Sequence, residues 1–347
     1  MANDVFHFCT YFDQRYLMRG LALIESLEAH CPQFEIWVLC LDDATCDLLT
    51  RLAWPGVHTI RVQEIERANP DLAAVKPHRT LLEYYFTCTP SLPRFVLDRH
   101  PGVDLITYLD ADLFFFANPT PLFTEIGTGS IGLVRQDMAD QDPVAIAQYG
   151  IYNVSWVTFR RDATGLACLH WWHERCIEWC FLRSEDGKFG EQKYLDDWPT
   201  RFAGVVVLTH KGANLAPWNV SNHSVTDGAG KGIMVDGQPL IYYHFSRLTQ
   251  IHRYLYDPRF GDVHRPTKTL RRCVYGRYLQ TIAHLDRQIK PALTAAALDD
   301  KSWVEMRRQG AYRGRRRSLF AILRCLLQLV KALVSCKFLI SIRGRVI

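Results

Sequence analysis

Asp110 and Asp112 stand where one apolar run, Leu105-Ile106-Thr107-Tyr108-Leu109, ends and another, Leu113-Phe114-Phe115-Phe116, begins. Only Ala111 separates them. The first run is short, β-branched and aromatic, and Pro101-Gly102 bounds it, which marks a buried strand rather than a helix. Residues two apart on a strand point the same way, so continued extension projects both carboxylates together at the strand's carboxyl end. In open α/β sheets that end is where ligands bind. No Lys or Arg lies next to the pair in sequence, so the two charges repel unless a cation sits between them. Hard oxygen ligands suit Mg²⁺ or Mn²⁺, with positions left open for a substrate's phosphates. A D-x-D triplet also arises in ordinary surface turns. The apolar flanks argue against that here, because buried carboxylates require a partner.

Three other groups of residues invite a chemical reading. Residues 127–132 read Gly-Thr-Gly-Ser-Ile-Gly, formally G-x-G-x-x-G. A dinucleotide fingerprint must follow a strand and open a helix. Here a helix-like segment precedes and a strand-like one follows, so the stretch is read as a turn. Cys168, His173, Cys176 and Cys180 crowd one helix, together with Trp171, Trp172, Ile177 and Trp179. Ligands from a single helix make a poor tetrahedron for zinc, and a core face is the better reading. His244 lies near the end of the apolar run Leu240–Ser246, where a lone histidine is by itself an ordinary core residue.

The elements that must position these residues alternate. Val5 to Phe12 is a strand, and Gln14 to His30 a helix with Leu17, Leu21, Ile24 and Leu27 on one face. Phe34 to Leu41 is a strand, a helix opens at Asp42-Asp43 and runs to about Leu52, and Val57 to Ile65 is a third strand. Arg79 to Asp98 is helical with interruptions at Pro90 and Pro93. After the acidic pair come a short helix at Leu122–Ile126, strands at Ser130–Arg135 and Gly150–Phe159, and a helix capped by Asp162 and running to about Leu182. Glu191–Trp198 is a short polar helix stopped by Pro199, and Val205–Leu208 a buried strand. Lys211–Asn219 is a turn-rich loop carrying Trp218. Strands alternating with helices predict an α/β fold: a mixed, mostly parallel sheet flanked by helices on both faces.

With 347 residues there is room for one large α/β domain and an appendage. The net charge of +5 hides an asymmetry: from Asp300 onward 12 of the 41 Lys and Arg residues lie beside only 2 of the 36 acidic ones, so the tail carries +10 and the body −5. The 11 cysteines show no framework spacing, and many sit in apolar runs, as Cys9, Cys40 and Cys88 do. Reduced, buried thiols and a cytoplasmic location follow as expectations. Met1-Ala2-Asn3-Asp4 lacks signal-peptide character, so the N-x-S triplets at Asn153, Asn219 and Asn222 are read as incidental.

Taken in order, four blocks resemble the GT-A-fold glycosyltransferases, most nearly glycosyltransferase family 8 and related bacterial sugar transferases. They are Cys9-Thr10-Tyr11-Phe12-Asp13-Gln14-Arg15-Tyr16, Tyr-Leu-Asp-Ala-Asp ending at Asp112, Glu191-Gln192 where the family usually has Asp-Gln, and Tyr243-His244-Phe245-Ser246. The resemblance covers roughly residues 4 to 250 and implies a nucleotide-diphosphate-sugar donor, a UDP-sugar foremost, held by a divalent metal, Mn²⁺ or Mg²⁺. It implies Asp112 and His244 as metal ligands, with Asp110 as a ligand or a ribose contact and Ala111 between them. Thr10, Tyr11 and Tyr16 would lie near base and ribose, and Arg79 near base, sugar or diphosphate. Asn153, Glu191 and Gln192 would border the transferred sugar, and Lys211, Asn214 and Trp218 the diphosphate or the acceptor side. Glu191 and Gln192 are the catalytic candidates, with Asp196 and Asp197 on the same face. Arg247 stands where the family usually has Gly and is itself a candidate phosphate contact.

Residues 1–260 are thus expected to form a GT-A-like domain, 261–306 a helical linker and 307–347 a basic amphipathic appendage. Arg307, Arg308, Arg313 and Arg315–Arg317 precede an apolar stretch in which Arg324, Gln328, Lys331 and Ser335 make one polar stripe. Its composition fits an interfacial helix on an anionic membrane surface, peripheral on the inner face, better than a span or a nucleic-acid contact. Docking on the body, or a dimer contact, is the alternative. The expected activity is metal-dependent sugar transfer to a glycan or lipid-linked hydroxyl in cell-envelope synthesis. A phosphohydrolase of the haloacid dehalogenase type and a non-catalytic sugar-nucleotide-binding protein are the rivals.

Overall fold

The strand β1 (Phe6–Phe12) divides the molecule into its two cores. Phe8 and Phe12 point into one, while Cys9 points into the other. The same alternation recurs in β2 (Phe34–Cys40), after helices α1 (Leu17–His30) and before α2 (Asp43–Leu52): Ile36 and Val38 face one way, Trp37 and Leu39 the other. Both faces being apolar is what a covered parallel sheet requires. Described in the computed structural model are residues 5–31, 33–138, 142–230, 232–252, 254–260, 266–295, 339–342 and 345–346.

The chain continues through β3 (Val57–Arg61), α3 (Val62–Ala68), α4 (Pro70–Val75), α5 (Leu81–Arg99), β4 (Leu105–Leu109), β5 (Leu113–Phe115), α6 (Thr120–Ile126), β6 (Ile131–Arg135), α7 (Pro143–Tyr149), β7 (Tyr152–Arg160), α8 (Ala163–Glu178), α9 (Trp198–Arg201) and β8 (Val205–Val207). The seven-stranded sheet has the order β3-β2-β1-β4-β7-β6-β8, with β7 antiparallel to both its neighbours and the other pairs parallel. Helices cover both faces, α1 and α2 on one and α5 and α8 on the other. This is the mixed, mostly parallel, helix-flanked sheet expected from the sequence.

Several boundaries differ from expectation, each for a local reason. The third strand stops at Arg61, because the Arg61 N–H donates to Glu64 Oε1 at 2.9 Å and opens α3. Helix α5 runs unbroken through Pro90 and Pro93. An internal proline costs a helix roughly 3 kcal/mol, and the burial of Pro90, Leu92, Pro93 and Val96 against the sheet offsets that cost. Asp162 does cap α8, accepting from Gly165 N at 2.7 Å, but the helix ends at Glu178. Pro199 sits in the first turn of α9 rather than ending a helix, a position that needs no N–H. Strand β8 is half-buried because it is the sheet's edge.

A small antiparallel sheet of β9 (Val225–Asp227), β10 (Ile233–Val235) and β11 (Gln238–Pro239) leads into β12 (Tyr242–His244), which pairs with β5. Strands β13 (Thr249–His252) and β14 (Leu255–Asp257) follow. Within residues 266–295, the described part of the 261–306 stretch expected as a helical linker, a π-helical turn at Leu270–Tyr275 enters α10 (Gly276–Ala295). Tyr275, Tyr278 and Leu285 are fully buried in the same core as α1 and β1. Of the tail, residues 339–342 and 345–346 are described. They form β15 (Leu339–Ile342), paired with β14, and β16 (Arg345–Val346), with Leu339 buried in that core. The arginine cluster and the amphipathic stretch between 307 and 338 lie outside the described residues.

Candidate active site

Strand β4 ends at Leu109 and the chain turns instead of staying extended. Leu113 N–H donates back to Asp110 C=O at 3.2 Å, and β5 then pairs antiparallel with β12. The period-two argument therefore does not bring the carboxylates together; the turn does. Register supplies the third member. His244 lies opposite Leu113, and Phe245 N–H donates to Asp112 C=O at 2.9 Å. His244 Nε2 comes to 3.0 Å from Asp112 Oδ1 and 3.7 Å from Asp110 Oδ2. Ligand atoms of these three residues all lie within 4.8 Å of one another, and among the described residues no other acidic, histidine and cysteine group of three does so.

Each carboxylate has its other oxygen held by the protein. Tyr108 OH donates to Asp110 Oδ1 at 2.9 Å, and Arg19 Nη1 faces Asp112 Oδ2 at 3.5 Å. The imidazole is held by packing. Trp218 meets its ring edge-on at 5.2 Å between centroids, and His244 Nδ1 is buried without a hydrogen-bond partner. Burial pushes the Asp110 carboxyl up to about 6, with the Asp112 charge adding to the effect. Burial alone would raise Asp112 as well, but His244 and Arg19 bring it below the usual carboxylate range. For the imidazole, burial is outweighed by the two carboxylates, which raise its affinity for a proton. Two carboxylates and an imidazole nitrogen that compete for a proton are a donor set that fits a hard divalent cation.

Around this centre the other candidate residues fall into three groups. Thr10 and Tyr11 end β1 beside β4, with Thr10 Oγ1 buried and unpartnered and the Tyr11 ring 5.7 Å from that of Tyr108. Tyr16 is exposed, and the Arg19 guanidinium lies 4.5 Å above its ring. Asn153, Gln192 and Asn214 belong to a buried amide network. Asn153 Nδ2 donates to Gln136 Oε1 and Gln192 Oε1, Gln192 Nε2 donates to Tyr149 O, and Asn214 Oδ1 accepts from Ser155 Oγ at 3.1 Å. Ser155 O in turn accepts from Asp110 N–H. Trp218 Nε1 donates to Gln136 O at 2.8 Å, joining this network to His244.

Arg79 and Lys211 stand apart. The Arg79 guanidinium donates to Ile177 O at the end of α8 and covers the Phe181 ring, while Lys211 is exposed, with its backbone on Gln238 Oε1. Asp196 accepts from Ile151 N–H and Lys193 Nζ, so it ties loops together. Arg247 adopts φ 56°, the left-handed region, where the resembled family usually has Gly. Glu191 differs from all of these: it is 4% exposed, and burial pushes its carboxyl up to about 8, helped by the Asp110 charge.

The helix α8 cluster is structural. His173 accepts from Asn69 Nδ2 at 2.8 Å on one ring nitrogen and meets Ser91 Oγ at 3.1 Å on the other. Both nitrogens are occupied and burial holds its pKa down to about 4, so it is neutral. Cys168, Cys176 and Cys180 are free, buried thiols.

Comparison with known proteins places the chain among relatives. It is 33% identical over 286 residues to the uncharacterized protein YfnF of Bacillus subtilis (strain 168), covering 80% of this chain and 92% of that protein. It is 32% identical over 250 residues to the uncharacterized protein YfnD of the same organism, covering 72% of this chain and 79% of that one. No family model matches. Similar solved structures are those of the galactosyltransferase LgtC with donor and acceptor sugar analogs (16% identity, 71% of this chain, 90% of that chain, TM-score 0.49) and mouse xyloside xylosyltransferase 1 (13% identity, 70% and 97%, TM-score 0.45).

Proposed function

The chain belongs to the family of YfnF and YfnD, and we propose that it is a metal-dependent glycosyltransferase. In this reading it moves a sugar from a nucleotide-diphosphate sugar, a UDP-sugar foremost, to a hydroxyl of a glycan or lipid-linked acceptor of the cell envelope. One observation carries the proposal: the convergence of Asp110 Oδ2, Asp112 Oδ1 and His244 Nε2 at the carboxyl end of the central strand. A phosphohydrolase built on an aspartate nucleophile leaves this imidazole without a role.

Asp110, Asp112 and His244 would hold Mn²⁺ or Mg²⁺, which when bound supplies positive charge to a departing diphosphate, an effect worth several kcal/mol. The chain's own residues do the rest. Transfer breaks the bond between the anomeric carbon and the diphosphate oxygen, forms one to the acceptor oxygen, and releases the acceptor's proton. Glu191 takes that proton. Only its ionised form can do so, and with the carboxyl raised to about 8 by burial that form grows as pH rises toward 8. Gln192, Asn153 and Asn214 fix the wall on which the sugar rests, since their amides are already committed to one another and to the backbone. Thr10, Tyr11 and Tyr16 receive the base and ribose. Trp218, which packs on His244, serves the diphosphate or acceptor side, whereas Arg79 and Lys211 are engaged elsewhere and are given no part in the transfer.

The test is a donor-hydrolysis screen over a panel of nucleotide sugars, with and without Mn²⁺. The proposal expects slow, metal-dependent release of the nucleoside diphosphate from one donor. Release of inorganic phosphate from simple phosphomonoesters, with no nucleotide sugar consumed, would replace it with the hydrolase reading.

A further inference from the structure

Arg19 carries a charge into the site from α1, a helix far from the acidic pair in the chain. It stands in the first turn of α1, 93 residues from Asp112 and 229 from Leu248 in the chain. Its Nη2 donates to Leu248 O at 2.6 Å, while its Nη1 faces Asp112 Oδ2 at 3.5 Å. The guanidinium lies over the Tyr16 ring, and the side chain is 22% exposed. Leu248 belongs to the turn that follows His244, and Leu248 N–H donates to Phe245 C=O. One planar fork thus joins the turn carrying Asp112 to the turn following His244.

The consequence is geometric. Asp112 has two oxygens, and the centre requires one of them, Oδ1, to face His244. A carboxylate with nothing on its other oxygen rotates about χ2, which is a broad torsion. Arg19 on Oδ2 restricts that rotation, as Tyr108 OH on Oδ1 restricts Asp110. Groups that orient metal-binding side chains in this way are worth about 10- to 100-fold in metal affinity.

We propose that Arg19 is a positioning residue for the divalent-cation site, acting through Asp112 and the turn after His244. This rests on the metal reading of the site given above. Charge alone argues the opposite effect, because a guanidinium beside a dication repels it. The two roles therefore predict different signs.

Mn²⁺ is titrated into the full chain without nucleotide, and bound ion is read from the loss of the free-ion electron paramagnetic resonance signal. Wild type, Arg19→Lys and Arg19→Gln are compared, with circular dichroism to verify the fold. Lysine keeps the charge but is a point donor that cannot reproduce the fork. Positioning predicts that Arg19→Lys binds Mn²⁺ about 10-fold more weakly, and Arg19→Gln at least as weakly. Equal affinity in Arg19→Lys, or tighter binding in Arg19→Gln, overturns the proposal. Arg19→Lys decides alone if the glutamine variant does not fold. No binding by wild type removes the metal reading and the Arg19 role with it, whereas equal binding by wild type and both variants removes only the latter.

Discussion

At the residue scale the site is a set of paired oxygens. Asp110 and Asp112 each hold one oxygen on a protein donor and turn the other toward His244. Asp112→Asn keeps the shape and removes the charge, so metal-dependent donor cleavage should fall at least about 100-fold while the circular dichroism spectrum is unchanged. Full turnover in that variant would exclude Asp112 from the chemistry. Glu191 sits in a costly state. Its carboxyl is raised to about 8 by burial, so the folded protein binds a proton that the unfolded chain releases well below neutrality. This contribution is therefore intact below the ordinary glutamate value of 4.5 and is lost as pH rises from there to about 8. Glu191→Gln should be slower than wild type yet melt at a higher temperature at pH 9, with the gap closing at acid pH. A lower melting temperature at pH 9 would contradict this. The D-x-D pair stood out in the sequence because its residue types and flanking apolar runs are distinctive, whereas His244, an ordinary core histidine by its own surroundings, was singled out only by the family resemblance of its block. Arg19 was not, since a single arginine in a helix's first turn carries no local mark of what it meets across the fold.

At the element scale, apolar runs reported the strands well and their ends poorly. The β4 run was plain, but the turn after Leu109 depends on β5 pairing with β12, which no local pattern encodes. Pro90 and Pro93 were misleading for the same reason: burial of α5 on the sheet overrides helix propensity. Across this layer His173 of α8 clasps Ser91 of α5 and Asn69 at the start of α4. With its pKa held down to about 4 by burial, with Arg94 and His170 adding to it, the neutral ring is favoured in the fold. That contribution is intact above the unfolded histidine value and is lost as pH falls from about 6.5 toward 4, amounting to roughly 3 kcal/mol. Denaturant unfolding at pH 7 and pH 4.5 should show the loss, and His173→Gln should reduce the difference between the two. An identical difference in the variant would assign the acid sensitivity elsewhere.

At the scale of the whole molecule, residues of α10 and β15 share the core that holds α1 and β1. Residues 1–260 were expected as a GT-A-like domain because the D-x-D, Glu-Gln and His-Phe-Ser blocks all lie there. Yet Tyr278 of α10 stacks on Phe245 at 3.8 Å, immediately behind His244, and Leu339 is fully buried near the end of the chain. Burying a leucine side chain is worth about 1.5–3 kcal/mol, so removal of residues 302–347 should lower the melting temperature by several degrees. An unchanged melt would show that β15 contributes nothing to the core. That truncation is a poor test of membrane binding for the same reason. Replacing Arg307, Arg308, Arg313 and Arg315–Arg317 by Gln leaves β15 and β16 in place. If the tail holds an anionic bilayer, the replaced protein should no longer co-sediment with phosphatidylglycerol vesicles; undiminished co-sedimentation would contradict that role.

The most direct test of the central claim is calorimetric titration of UDP into the protein with and without Mn²⁺, in wild type and in the double variant Asp110→Asn, Asp112→Asn. Wild type should bind UDP in a manner that requires Mn²⁺, and the folded double variant should bind it weakly whether or not the ion is present. UDP binding that is indifferent to Mn²⁺ in wild type, or Mn²⁺-dependent binding that survives in the double variant, would contradict the account.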